Sequence, residues 1–397
     1  MLELHSSLSE EGLDQTLAQQ GEKQEKAVLV GTHRVCPPEE TLARIRPLLS
    51  SMGITRVADL THLDDLGLPV VQAIRPNSRN LSVSQGKGVT KALATASALM
   101  EAIELWHAED PDLPVTVQSP GELKNQLPYS VYDLNLSRHH VLHDALPLEW
   151  FPAQFIDSDE MTLVPANYVR VNMLVTQSWV LPTFAVTSNG LASGNVREEA
   201  ILHGLYEVIE RDTLVLARSG TVPRLSIDPA TVDGAATAPI LAQFYRAGAS
   251  VEIQGLVGPT GIACFEAHLT SPSYPRVIAG YGCHLDRDVA LSRALTEAAQ
   301  IRLSIIAGSR DDIQHGAYAE IQQMRSASQL HASSTLTPFQ AIPSTSNRDI
   351  AADLQNVTRP IRSVVTCPPL FVDLTRSAFG IPVVFVVVPQ FRMVEEH

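Results

Sequence analysis

Three stretches of the chain repeat one helical pattern, and this repeat restricts the fold more than any other feature. The helical stretches align without gaps: Ala94, Ser97, Leu99, Glu101, Glu104; then Ala200, His203, Leu205, Glu207, Glu210; then Ala290, Arg293, Leu295, Glu297, Gln300. Ala, a polar group, Leu and Glu recur at fixed offsets, and a fifth position carries Glu, Glu or Gln. The polar positions stand at i, i+4 and i+7, within one narrow stripe of an α-helix. Glu199, four residues before His203, extends the second stripe backwards. Glycines precede each helix, in Gly86-Lys87-Gly88, at Gly194 and at Gly282. Strand-like runs precede the glycines: Leu81 to Ser84, Val180 to Val186 and Val277 to Tyr281. The pattern predicts an α+β fold of mixed sheets with three strand–glycine turn–helix units. Helices near 92–107, 197–214 and 288–304 are expected side by side, with Leu99, Leu205 and Leu295 in equivalent core positions. Their strands are expected in one or two adjoining sheets.

Carboxylates three and four residues apart often mark only a solvated helix face. Here the flanks are apolar: Met100, Ala102 and Ile103 surround Glu101, while Tyr206, Val208 and Ile209 surround Glu207. No lysine dilutes the second helix between Glu198 and Arg211. Like charges in such surroundings need a cation or strong donors. Oxygen ligands from several helices suit Mg²⁺, which bridges carboxylates to phosphates and keeps waters. Lys87, Lys91, Arg211, Arg293 and Arg310 lie close to the same motifs in sequence. Cations, Mg²⁺ and backbone donors at a glycine turn are together what a nucleoside triphosphate requires. The Walker A spacing is missing, and Gly280-Tyr281-Gly282 lacks the third glycine of a dinucleotide fingerprint.

Charge excludes other classes. Twenty-nine Lys+Arg against 43 Asp+Glu leave a formal net charge of −14, so no basic excess is available for nucleic acid or an anionic membrane surface. Residues 1–27 are polar and lack the apolar region of a signal peptide. The run Ile381 to Val388, interrupted by Pro382 and stopped by Pro389, reads as a buried strand rather than a membrane span. Cys36, Cys264, Cys283 and Cys367 are scattered without a CxxC pair, so neither a disulfide framework nor a zinc site is expected. A cytoplasmic protein is expected. The chain divides into a polar tail (1–27), an accessory region (28–70) and a main domain (71–397). The accessory region holds a helix from Pro38 to Met52, stopped by Gly53. A Ser-rich surface excursion is expected within roughly 310–355.

The motifs resemble those of the YcaO family. Ser84-Gln85-Gly86-Lys87-Gly88 with Ser97-Ala98-Leu99-Met100-Glu101-Ala102-Ile103-Glu104 is similar to its first nucleotide motif. Ser188-Asn189-Gly190-Leu191-Ala192-Ser193-Gly194-Asn195, then Glu198-Glu199-Ala200 and Glu207-Val208-Ile209-Glu210-Arg211, is similar to the second. The segment from Ala290 to Arg302, with Gly308-Ser309-Arg310-Asp311-Asp312, is similar to the third. The resemblance implies the YcaO fold, usually as a homodimer, and an ATP- and Mg²⁺-dependent enzyme that phosphorylates a peptide backbone amide oxygen. The activated amide then yields to a nucleophile, giving an azoline from a Cys, Ser or Thr side chain, a thioamide from sulfide, or an amidine from an amine. Carried over by motif, Lys87, Ser97, Asn195, Arg211, Arg293 and Arg310 would contact nucleotide. Glu101, Glu104, Glu199, Glu207 and Glu210 would hold Mg²⁺ directly or through water, with Glu297 and Gln300 nearby. No side-chain base is demanded. The ending Pro389-Gln390-Phe391-Arg392-Met393 lacks the proline-rich tail of many azoline formers, and resembles members that work beside a TfuA partner. This favours thioamide formation on a peptide delivered by a partner protein. A cyclodehydratase, or a non-catalytic ATP-binding accessory scaffold, are the alternatives.

Overall fold

Each repeat unit acquires a sheet of its own. The structure, a computed structural model, describes residues 25–173, 181–310 and 335–393; the polar segment 1–24 and the centre of the expected excursion, 311–334, lie outside the described residues. A short hairpin, β1 (Ala27–Leu29) and β2 (Thr32–Arg34), turns at Gly31, whose φ of 81° suits a residue without a Cβ. Helix α1 (Pro38–Ile45) follows, with proline in its first turn and Glu39 and Glu40 against its N-terminus. It ends seven residues earlier than the spacing predicts. Pro47 supplies no N–H, and the chain tightens into a 3₁₀ turn over Arg46–Leu48. Gly53, at φ 73°, closes that segment as expected.

The first sheet is the antiparallel set β3 (Arg56–Asp59), β4 (Val70–Ile74) and β5 (Val83–Lys87), carrying α2 (Lys91–Glu109). In the second, β6 (Thr116–Gln118), β7 (Leu148–Phe155), β14 (Leu370–Asp373), β15 (Val383–Val387) and β9 (Leu191–Ser193) lie in that order, and β8 (Met161–Pro165) also pairs with β7. Helix α3 (Arg197–Arg218) covers β15 and β9. The third sheet is a meander of β10 (Arg224–Ile227), β11 (Ser250–Val257), β12 (Ala263–Ser271) and β13 (Tyr274–His284). It carries α4 (Thr237–Arg246) and α5 (Arg287–Ala307). Helix α6 (Ile350–Val364) packs on α3, so the end of the expected surface excursion is instead helical and anchored by Ile350, Val357 and Ile361. Every residue of β15 is buried, as its sequence requires.

Leu99, Leu205 and Leu295 are all buried, but in three separate apolar clusters. The helices therefore do not share one core, and their strands occupy three sheets rather than one or two. Burying the apolar side of each helix on its own sheet leaves its acidic stripe facing away, towards a common centre. The units close into a ring: α2 also touches β9, α3 touches β13, and α5 touches β5.

Two local expectations are corrected. The strand of the second unit is β9 rather than Val180 to Val186; Phe184 makes only an isolated bridge to Leu136, whereas Leu191–Ser193 finds a full partner in Val383–Phe385. The glycines are also not turns in the first and third units. Gly86 lies inside β5 and Gly282 inside β13. A Cβ at Gly86 would stand 2.0 Å from Ala98 N and 2.1 Å from Ala94 O; at Gly282 it would stand 2.1 Å from Ala290 O. These glycines let a helix backbone lie directly on the strand.

Candidate functional site

At the centre of the ring is a cavity of about 430 Å³. The stripes meet there: Ser97, Glu101 and Glu104 from α2; His203, Glu207 and Glu210 from α3; Arg293, Glu297 and Gln300 from α5. Lys87, Asn195, Glu199, Arg211 and Arg310 line the same cavity. Every residue singled out from the motifs as a nucleotide or metal contact thus has a place on its wall. Lys91 does not; it is exposed and pairs with Asp59 at 2.8 Å.

The third member of each stripe reaches the next unit of the ring. Glu104 Oε1 accepts from Ser193 N at 2.8 Å and Ser193 Oγ at 2.6 Å, on β9. Gln300 Nε2 donates to Gln85 O at 2.8 Å, on β5. Glu210 lies near Cys283 of β13, a thiol pushed up by burial, then by Cys264, with Glu210 adding a smaller contribution. Cys283 itself is fully buried, as expected of a structural thiol.

The carboxylates are held in a costly state. Burial, reinforced by Glu101 and Glu207, pushes Glu104 up to about 8 against the hydrogen bonds from Ser193. Burial pushes Glu207 up to about 7, Glu210 adding to it and Arg211 opposing. Burial and the neighbouring Glu297 also raise Glu210. Glu297 goes the other way: burial is outweighed by Lys87, Arg211 and Arg293, which hold it below the usual range. Its Oε2 accepts from Lys87 Nζ at 3.0 Å. The cavity thus has a cationic side around Glu297 and a carboxyl-rich side around Glu104 and Glu207.

These residues fit a Mg²⁺–triphosphate. Burial and mutual repulsion raise the clustered carboxyls towards neutral pH, a cost a cation would offset, and Arg293 Nε is buried without a hydrogen-bond partner. Among the described residues no three His, Cys, Asp or Glu side chains form a ready-made metal cage. Mg²⁺ needs none, because phosphates and waters complete its octahedron.

Glu199 differs from the other acids. It accepts from Arg34 Nη1 at 3.2 Å, Val35 N at 2.9 Å, and Asn195 N and Nδ2, both at 3.1 Å. In this structure its donors tie β2 to α3. Thr41 and Arg44 of α1 bind Asn195 from the same side, Thr41 Oγ1 reaching Asn195 Oδ1 at 2.8 Å. Gly31, Thr32, Arg34, Cys36 and Thr41 line the cavity, so the segment expected to be accessory supplies a wall. Arg34 and Thr41 carry no local motif, and only long-range packing identifies them. Gln85 is a further addition: 1% exposed, it lines the cavity with Nε2 unpartnered.

Known proteins resemble this chain in sequence and in fold. A family profile described as "YcaO cyclodehydratase, ATP- and Mg2+-binding" matches residues 85–392. An uncharacterized protein of Mycobacterium tuberculosis is 39% identical over 288 residues, covering 72% of this chain. The chain spans only 65% of that relative's length. A protein from the tfuA 3′ region of Rhizobium leguminosarum bv. trifolii is 35% identical, over 77% of this chain and 76% of its own. The fold matches that of YcaO from Methanopyrus kandleri bound with AMPPCP and Mg²⁺, at a TM-score of 0.71 and 22% identity, over 93% of this chain and 94% of that one. No helix among the described residues is long and apolar enough to cross a membrane. The chain belongs to the YcaO family, whose members bind ATP and Mg²⁺.

Proposed function

We propose that this chain uses ATP to phosphorylate a backbone amide oxygen of a peptide, and that sulfide then displaces the phosphate to leave a thioamide. The observation that carries the reading is the convergence of all three stripes on one cavity, with cations on one side and carboxylates on the other. In it, Glu101, Glu104, Glu199, Glu207 and Glu210 hold Mg²⁺ directly or through water. Lys87, Ser97, Asn195, Arg211, Arg293 and Arg310 bind the nucleotide, and Arg34, Thr41 and Gln85 join them. When bound, ATP supplies the phosphoryl group and Mg²⁺ offsets its charge. The protein's part is to orient and to stabilise charge; Lys87, Arg211 and Arg293, grouped around Glu297, are the cations available for it. Three of Glu199's four donors share Oε1 and only Val35 N is on Oε2, so Oε2 has room to ligate while Glu199 keeps β2 tied to α3.

The choice of thioamide draws its support from the relative encoded in a tfuA 3′ region. A homodimer and a TfuA-like partner belong to the same reading. Incubating the chain, the partner, ATP and peptide with and without sulfide, then weighing the peptide, tests it. Exchange of oxygen for sulfur is expected. Loss of one water without sulfide would instead make this an azoline-forming cyclodehydratase. Absence of ATP turnover beside tight ATP binding would leave an accessory scaffold.

A further inference from the structure

His203 stands between two arginines that come from distant parts of the chain. Its Nδ1 is 3.4 Å from Arg34 Nη2, at the end of β2, and its Nε2 is 3.2 Å from Arg293 Nη2, on α5. An imidazole accepts through one nitrogen when neutral and through none when protonated. At most one of the two contacts is therefore a hydrogen bond, and the other guanidinium edge faces a ring N–H. Arg293 carries a second unmet donor, because its Nε is buried without a partner. Arg34 is less dependent on the ring, since Nη1 also binds Glu199 at 3.2 Å. Donors exceed acceptors at this point of the cavity wall, as in a site awaiting an anion.

We propose, resting on the nucleotide reading above, that His203 is a positioning residue. Its ring sets the Arg34 and Arg293 guanidiniums from opposite sides for the nucleotide phosphates, and phosphate oxygens take up the donors the ring leaves unmet. The repeat explains how this arises. His203 and Arg293 occupy the same stripe position as Ser97, and closing the ring brings α3 and α5 together there. The first position of the stripe thus supplies the ring and one of the two cations it sets. Arg293 depends on His203 most, because among the described residues that contact is its one side-chain hydrogen bond.

The test is Mg–ATP binding by calorimetry to the full chain, as wild type, His203→Leu, His203→Gln, Arg293→Ala and the His203→Leu/Arg293→Ala double variant. Loss of one oriented charge-assisted contact predicts that His203→Leu weakens binding about 10-fold. His203→Gln, which keeps an acceptor, should recover most of that loss. In the Arg293→Ala background the leucine should change affinity less than about 2-fold, because the group it acts through is gone. A purely structural role would lower the melting temperature and leave the cycle additive. Wild-type affinity in His203→Leu, or an equal factor in both backgrounds, would overturn the proposal. If His203→Leu does not fold, His203→Asn, too short to meet both arginines, replaces it in the same cycle. A wild-type chain that binds no ATP would overturn the nucleotide reading itself, and this inference with it.

Discussion

Glu104→Gln should make the ligand-free protein less sensitive to alkaline pH. The unfolded carboxyl loses its proton near its ordinary value of 4.5, whereas the folded one keeps it to about 8. Between those values the native state holds more protons than the unfolded chain, so raising the pH costs stability. Buried histidines act in the opposite sense, but lower down. His107 is pushed down to about 4 by burial, and His203 and His284 are also lowered, so their cost appears only below about 6.5. Over the window from pH 6.5 to 8.5 the remaining histidine contribution is common to wild type and variant, so the difference between the two isolates Glu104. Over it, a group titrating near 8 in the native state loses about 2 kcal/mol. With roughly 2.1 cal/mol/K of unfolding entropy per residue, the 397-residue chain converts this to about 2 °C of Tm. The amide of glutamine still accepts both Ser193 hydrogen bonds but has no proton to lose. Differential scanning fluorimetry in EDTA, at closely spaced pH values, should show the two melting curves separating by that amount as pH rises. Glu207, pushed up to about 7, gives both proteins a common residual slope. Parallel pH profiles in wild type and variant would refute the claim that Glu104 is held protonated in the empty site.

Glu210→Gln should fold normally and lose at least about 100-fold in ATP turnover, because the transferring phosphoryl loses part of its charge compensation; turnover within 3-fold of wild type by phosphate release would contradict its place in the site. Gly86→Ala should destabilise by about 3 kcal/mol or more in urea unfolding, since its Cβ meets backbone atoms at 2.0 and 2.1 Å rather than a side chain that can move. Arg302→Met should cost about 3–5 kcal/mol by the same measurement, because it strands buried Asp64, which Arg302 now grips with two bonds of 2.8 Å. An unchanged unfolding midpoint in either variant would show that the backbone contact or the ion pair is dispensable.

Much of the site could be read without coordinates because its chemistry is written at helical spacing. Stripes at i, i+4 and i+7 hold to one face of any α-helix, so Ser97, Glu101 and Glu104 had to point together wherever α2 went. The same holds for the other two helices, so each stripe enters the cavity as one unit. The buried strand at the chain's end was equally local, being a β-branched run between prolines. Local pattern could not say how the units meet. Alternatives with one shared core satisfy the same periodicity, and the choice of three sheets in a ring depends on which distant strands pair, such as β9 with β15 across some 190 residues. The glycines show the same division: their presence was visible, but their use as seats for a helix backbone on a strand needed the packed pair. Arg34 and Thr41 lay beyond sequence reasoning for one physical reason. Each is defined by a neighbour supplied from another part of the fold, Glu199 and Asn195 respectively, and no periodicity links them. The sequence by itself determined which faces carry charge; tertiary structure alone decided that those faces enclose one space.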